Sequence, residues 1–150
     1  MTDGGDLTRA LARIEPLVLD GDYTMLGYER GTAPPSPADL AAESYAVRID
    51  DPFETTFVMR APLAERMPEP AVRVLGLRAI LLTDALPTDL TGFISTVAGA
   101  LAERQIALVP IGAATRDHLL VPAARWPETL AILRGLRDAA RLILRSSDEP

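Results

Sequence analysis

Leu77-Arg78-Ala79-Ile80-Leu81-Leu82-Thr83, with Asp84-Ala85-Leu86-Pro87-Thr88-Asp89 behind it, is the stretch on which the reading of the fold turns. The first seven residues are rich in apolar side chains, which fits a largely buried strand. The next six hold turn chemistry and end on Asp89, a residue type strongly preferred as a helix N-cap. Phe93, Ile94, Val97, Ala98 and Leu101 then recur at helical spacing and predict one apolar helix face to about Arg104. Ile106 to Gly112 reads as a second strand. Pro110 within it has no N–H for a ladder and assigns that strand to a sheet edge. Thr115-Arg116-Asp117 is a turn, and His118 to Val121 is a third strand stopped by Pro122. A helix follows with Pro127 in its first turn, where the missing N–H costs nothing. Its apolar face is Trp126, Leu130, Leu133 and Leu136, and Leu142-Ile143-Leu144 reads as a last strand. The order is strand, helix, strand, strand, helix, strand, the ferredoxin-like split βαβ arrangement.

Working back from Leu77, the same order recurs in weaker form. Leu7, Ala10, Leu11 and Ile14 have helical spacing, with Pro16 as a stop. Asp20-Gly21 leads into a strand at Tyr23 to Tyr28, and three prolines between Thr32 and Pro37 mark a loop. Tyr45, Val47 and Ile49, then Thr55, Phe57 and Met59, alternate with their neighbours across Asp50-Asp51-Pro52. This is an antiparallel hairpin pattern. Pro62 to Met67 is a short helical piece. The expected organisation is therefore α+β: two ferredoxin-like βαββαβ modules in tandem, over 1–70 and 71–146, with a tail at 147–150.

Composition narrows the chemistry. The 150 residues carry a net charge of −6, and all fifteen basic residues are Arg, scattered along the chain. That balance argues against nucleic acid, whose phosphates call for clustered positive charge. Lys, Asn and Cys are absent and His118 is the single histidine. Schiff-base lysines, P-loop lysines, thiolate nucleophiles and thiolate-bound metals are thereby excluded. A zinc site normally draws on several His and Cys, so no metal and no cofactor is expected. Apolar runs are far shorter than the ~20 residues that cross a bilayer, and the acidic N-terminus is unlike a secretory signal. A cytoplasmic, non-catalytic protein without membrane partners is the expectation. Ser95 and Thr96 lie mid-helix without a nucleophile elbow. Arg134, Arg137, Arg141 and Arg145, three to four residues apart, form a solvated basic face if the last helix runs past Leu136.

Asp89-Leu90-Thr91-Gly92-Phe93, the Ile106-Ala107-Leu108-Val109 strand and Asp117-His118-Leu119-Leu120-Val121-Pro122 together resemble bacterial tandem ACT-domain proteins. Those are related in architecture to CASTOR-type arginine sensors and to the regulatory ACT domains of aspartate kinases. The resemblance covers roughly Leu77 to Leu136. It implies regulation by a small molecule, an amino acid, bound between modules, and a homodimer. The residues it implies around the ligand are Thr88, Asp89, Leu90, Thr91, Gly92, Gly112, Asp117 and His118. Physical chemistry agrees with such a site. A helix N-terminus suits a carboxylate, Gly92 allows close approach to the backbone, and Asp89 or Asp117 would face an ammonium group. The competing reading is a protein-interaction or self-association module with no ligand.

Overall fold

The computed structural model describes residues 4–147. Helix α1 (Gly4–Ala12) is followed by strands β1 (Pro16–Val18) and β2 (Tyr23–Glu29), then a 3₁₀ turn at Ala38–Ala42. Strands β3 (Val47–Asp50) and β4 (Glu54–Arg60), the one-turn helix α2 (Ala61–Ala64) and strand β5 (Val72–Leu82) come next. Helix α3 (Phe93–Glu103), strands β6 (Val109–Gly112) and β7 (Asp117–Pro122) and helix α4 (Trp126–Ser147) complete the chain. The contacts separate two compact units. One is Asp20–Arg78, and the other is formed by the described residues on either side of it. This division differs from the expected one at 70/71, because one unit is inserted within the other.

The inserted unit orders its strands β3-β4-β2-β5, with β2 antiparallel to both β4 and β5. The β3–β4 hairpin forms as its alternation predicts, with Ile49 opposite Thr56 and Asp50 opposite Thr55. Its turn is fixed by Asp51, whose carboxylate accepts the N–H of Phe53 at 2.7 Å and of Glu54 at 2.8 Å. Leu26, Tyr28, Phe57, Met59, Leu63 and Ala64 form the core. Tyr28 meets Phe57 edge-on, ring centroids 6.0 Å apart, and donates its hydroxyl to the Pro68 carbonyl at 2.7 Å. The ring is thus packed and its polar tip satisfied.

The other unit orders its strands β1-β5-β7-β6. Here the expectation for Leu142–Leu144 is corrected: these residues are not a strand but the last turns of α4. The fourth strand is β1, paired antiparallel with β5 so that Pro16 faces Leu82 and Val18 faces Ile80. With that place beside β5 filled, and with no proline between Pro127 and Ser147 to interrupt α4, the helix continues to Ser147. The expected tail therefore begins inside the helix at 147, and 148–150 lie outside the described residues. Arg141 Nε donates to the Ala12 carbonyl at 2.9 Å and ties α4 to the end of α1. Ile80, Leu82, Val97, Leu101, Leu119 and Leu133 are among the side chains buried in this unit's core. Pro110 lies on β6, the edge strand, as expected. Its ladder partner is Leu119.

Among the described residues no helix is long and apolar enough to cross a membrane, and no three His, Cys, Asp or Glu side chains are grouped to hold a metal.

Candidate functional site

The segment between β5 and α3 is pinned at both ends. Thr83 donates its N–H and its hydroxyl to the Glu15 carbonyl, each at 3.0 Å. The Leu86 N–H donates to the Thr115 carbonyl at 2.8 Å and joins this loop to the β6–β7 turn. Leu90 closes a tight turn on the Pro87 carbonyl at 3.1 Å. Asp89 therefore sits in a turn, and the expectation that it caps α3 is corrected: the N-cap is Gly92. Gly92 adopts φ +85°, a left-handed conformation that side-chain-bearing residues rarely take. A Cβ there would also come within 3.2 Å of Leu7 Cδ2 on α1. Backbone geometry and close packing of α1 together account for the glycine.

Gly92 brings no capping side chain, so the first N–H groups of α3 lack the partner an Asp or Ser would supply. The Gly92 carbonyl accepts from the Thr96 N–H at 3.0 Å and from the Ser95 and Thr96 hydroxyls at 3.0 and 2.8 Å. The helix start is thus fixed from its carbonyl side.

A cavity of about 290 Å³ opens beside this helix start, between the 86–94 segment and the β6–β7 turn. Thr88, Leu90, Gly92 and Asp117 of the expected site residues line it. Asp89 instead lines a neighbouring depression of about 450 Å³, together with Asp6, Arg9 and Arg13 of the N-terminal segment. Both arginines are already engaged there, Arg9 with Asp6 and Arg13 with Asp84, each at 2.5 Å. Thr91, Gly112 and His118 line neither cavity. The reason for His118 is strand alternation. Leu119 and Val121 point into the core with α3 and α4, which puts Asp117 on that same face and His118 on the other. Gly112 is Asp117's ladder partner on β6.

Two charges meet at the cavity. Burial pushes the Asp117 carboxyl above the ordinary carboxylate range, with His118 pulling weakly the other way. Arg116, which the sequence reading placed only in a turn, also lines the cavity. Its Nε donates to the Thr83 carbonyl at 2.8 Å and its Nη1 to the Thr115 hydroxyl at 3.1 Å. A guanidinium has five N–H donors, so three remain. Its backbone neighbour, the Ala113 N–H, closes the turn on the Arg116 carbonyl at 2.9 Å. A guanidinium and a carboxyl therefore sit on adjacent residues, at the end of the β6–β7 turn and the start of β7, and line the same cavity as the start of α3.

No family model matches the sequence, and neither does any curated protein. Solved structures do match. A protein from Agobacterium tumefaciens aligns at a TM-score of 0.68 and 21% identity, over 83% of this chain and 90% of the other. A Vibrio cholerae protein of unknown function, described as a possible transport protein, aligns at 0.66 and 22% over 88% and 96%. The ligand-free regulatory subunit of aspartate kinase from Thermus thermophilus aligns at 0.55 and 11% over 81% and 97%. The fold is ACT-like. In ACT-like terms, the cavity lies at the start of the first helix of the module that contains both α3 and α4.

Proposed function

We propose that this chain is a non-catalytic regulatory module that senses an amino acid in the cavity beside α3. The observation that carries the reading is the pairing of Arg116 and Asp117 around that one small space. A zwitterion would set its carboxylate between Arg116 and the first N–H groups of α3, and its ammonium against Asp117. Arginine suits a planar carboxylate through two parallel hydrogen bonds, and the helix dipole adds to the attraction. The volume is at the low end for small-molecule sites, about 300–1,000 Å³, which fits a metabolite of amino-acid size. The likeness of the fold to an aspartate kinase regulatory subunit supports a regulatory role. On this reading the protein works in the cytoplasm without cofactor, nucleic acid or membrane.

Thermal unfolding against a panel of amino acids tests it. A ligand at a hundred times its Kd stabilises the folded state by about 2.7 kcal/mol, a rise in Tm of roughly 5–10 °C. A selective rise supports the sensor, and a flat panel on folded protein rejects it.

Self-association is a second reading, as a homodimer with or without ligand. It is favoured by Leu142 and Ile143, adjacent on α4 and exposed at 65% and 56%. Sedimentation equilibrium of the chain and of its Leu142→Ser/Ile143→Ser variant checks it. A wild-type monomer at all concentrations rejects it.

A further inference from the structure

We infer that the cavity selects an α-amino acid whose side chain is uncharged and apolar, of valine-to-leucine size, over amino acids with charged side chains. The inference rests on the sensor reading above and narrows it. Its starting point is a count of charges. Of the residues that line the cavity, Arg116 and Asp117 are the charged ones. An amino acid uses both, the first for its carboxylate and the second for its ammonium. No further charged side chain is left on the wall for a third charge on the ligand.

Much of the remaining wall is apolar, with Leu86, Leu90, Phe93, Ile94, Ala113 and Ala114, while Thr88 and Thr115 add hydroxyls but no charge. Phe93 is buried, and Leu86, Leu90 and Ile94 pack against the unit's core, so this side of the cavity is continuous with a hydrophobic interior. The Thr115 hydroxyl accepts from Arg116 and its carbonyl from Leu86, so what that hydroxyl can offer a ligand is a neutral O–H donor. A charged ligand side chain placed against Leu86, Leu90 and Ile94 would give up water for a wall that offers no opposite charge. A branched aliphatic side chain would bury its surface at no such cost.

The same geometry makes both ends of the ligand necessary. An amine lacking the carboxylate leaves the remaining Arg116 donors without an acceptor, and a keto acid lacking the ammonium brings a second anion to Asp117.

Isothermal titration of the full chain with L-leucine, L-valine, L-aspartate and L-lysine is the test. Leucine or valine should bind at least about tenfold more tightly than aspartate and lysine, a discrimination within reach of an apolar pocket. 4-Methyl-2-oxopentanoate and 3-methylbutylamine, which share the leucine side chain, should each bind about tenfold more weakly than leucine. In Asp117→Asn the preference for leucine over the keto acid should vanish. In Arg116→Gln, the preference over the amine should vanish, with Arg116→Lys retaining part of it. Aspartate or lysine binding as tightly as leucine overturns the inference and leaves the sensor reading standing. If no amino acid binds the folded protein, both fall together.

Discussion

The two units arrange four strands alike, β5-β2-β4-β3 in one and β1-β5-β7-β6 in the other, and differ in how much helix accompanies them. In the unit Asp20–Arg78 the helical positions are a 3₁₀ turn of five residues with nothing buried and a one-turn α-helix of four. In the other unit they are α3 with 11 residues and α4 with 22. The first unit is held by its sheet and by aromatic packing of Tyr28 on Phe57. The second has a helix long enough for its N–H groups to present an aligned dipole, and it is there that Arg116 and Asp117 meet a cavity. In the inserted unit the corresponding stretch runs through Pro34, Pro35 and Pro37, which have no N–H to offer a ligand. A shared strand arrangement supplies the scaffold in both, and the cavity lined by Arg116 and Asp117 lies in the unit with the longer helices.

Deleting the core of each unit should break this comparison most visibly. Phe57→Ala removes a fully buried ring and is expected to cost about 3–5 kcal/mol, and Leu101→Ala about 2–5 kcal/mol. Both should melt markedly lower, as followed by circular dichroism. Below their melting temperatures, Leu101→Ala should weaken amino-acid binding while Phe57→Ala leaves Kd within about twofold. Equal effects on Kd would show that binding is not a property of one unit. Next in size is charge reversal: Arg116→Glu should abolish the ligand-induced rise in Tm, a loss of about 2–3 kcal/mol for a hydrogen bond to a charged group.

Gly92→Ala sharpens the point about the helix start. It places a Cβ at φ +85° and within 3.2 Å of Leu7 Cδ2. A loss of about 1–3 kcal/mol is expected from the backbone strain, measured by urea titration. Leu7→Ala in the same chain should relieve only the packing part. The smallest effect is expected from Asp117→Asn. A carboxyl whose pKa is raised by folding contributes stability below its unfolded value, 3.8. That contribution is lost as pH rises through the folded value. At pH 7 the Asn variant should therefore melt higher, by on the order of 1–2 °C, and the gap should close towards pH 3.5. Its ligand response should fall at the same time.

Much of this was legible locally. The alternation of Val47 and Ile49 against Thr55, Phe57 and Met59, the Phe93–Leu101 spacing and Pro110 on an edge strand each follow from side-chain period or from a missing N–H. Leu142–Leu144 was misread because three consecutive apolar residues fit a short strand as well as a helix end. The deciding fact is distant: β1 already lies beside β5. Asp89 was assigned to the cap by its own preference, whereas Gly92 took that place through a left-handed φ and the packing of Leu7. The Thr88–Gly92 segment and Asp117 were both visible as candidates. Arg116 was not, since nothing within a turn sequence announces that the Leu86–Thr115 hydrogen bond will bring it to the mouth of the same cavity.

The borrowed strand sets an order of assembly. During synthesis the segment 20–78 emerges complete and holds its own partners, so it can fold at once, as domains commonly do. Helix α1 and strand β1 are made earlier but have nothing to pair with until β5 and α4 follow. The unit that holds α3 and α4 is thus the first begun and the last finished. Removal of the first twenty residues would spare the middle of the protein while leaving β5 with a bare edge and α4 without the carbonyl that Arg141 holds.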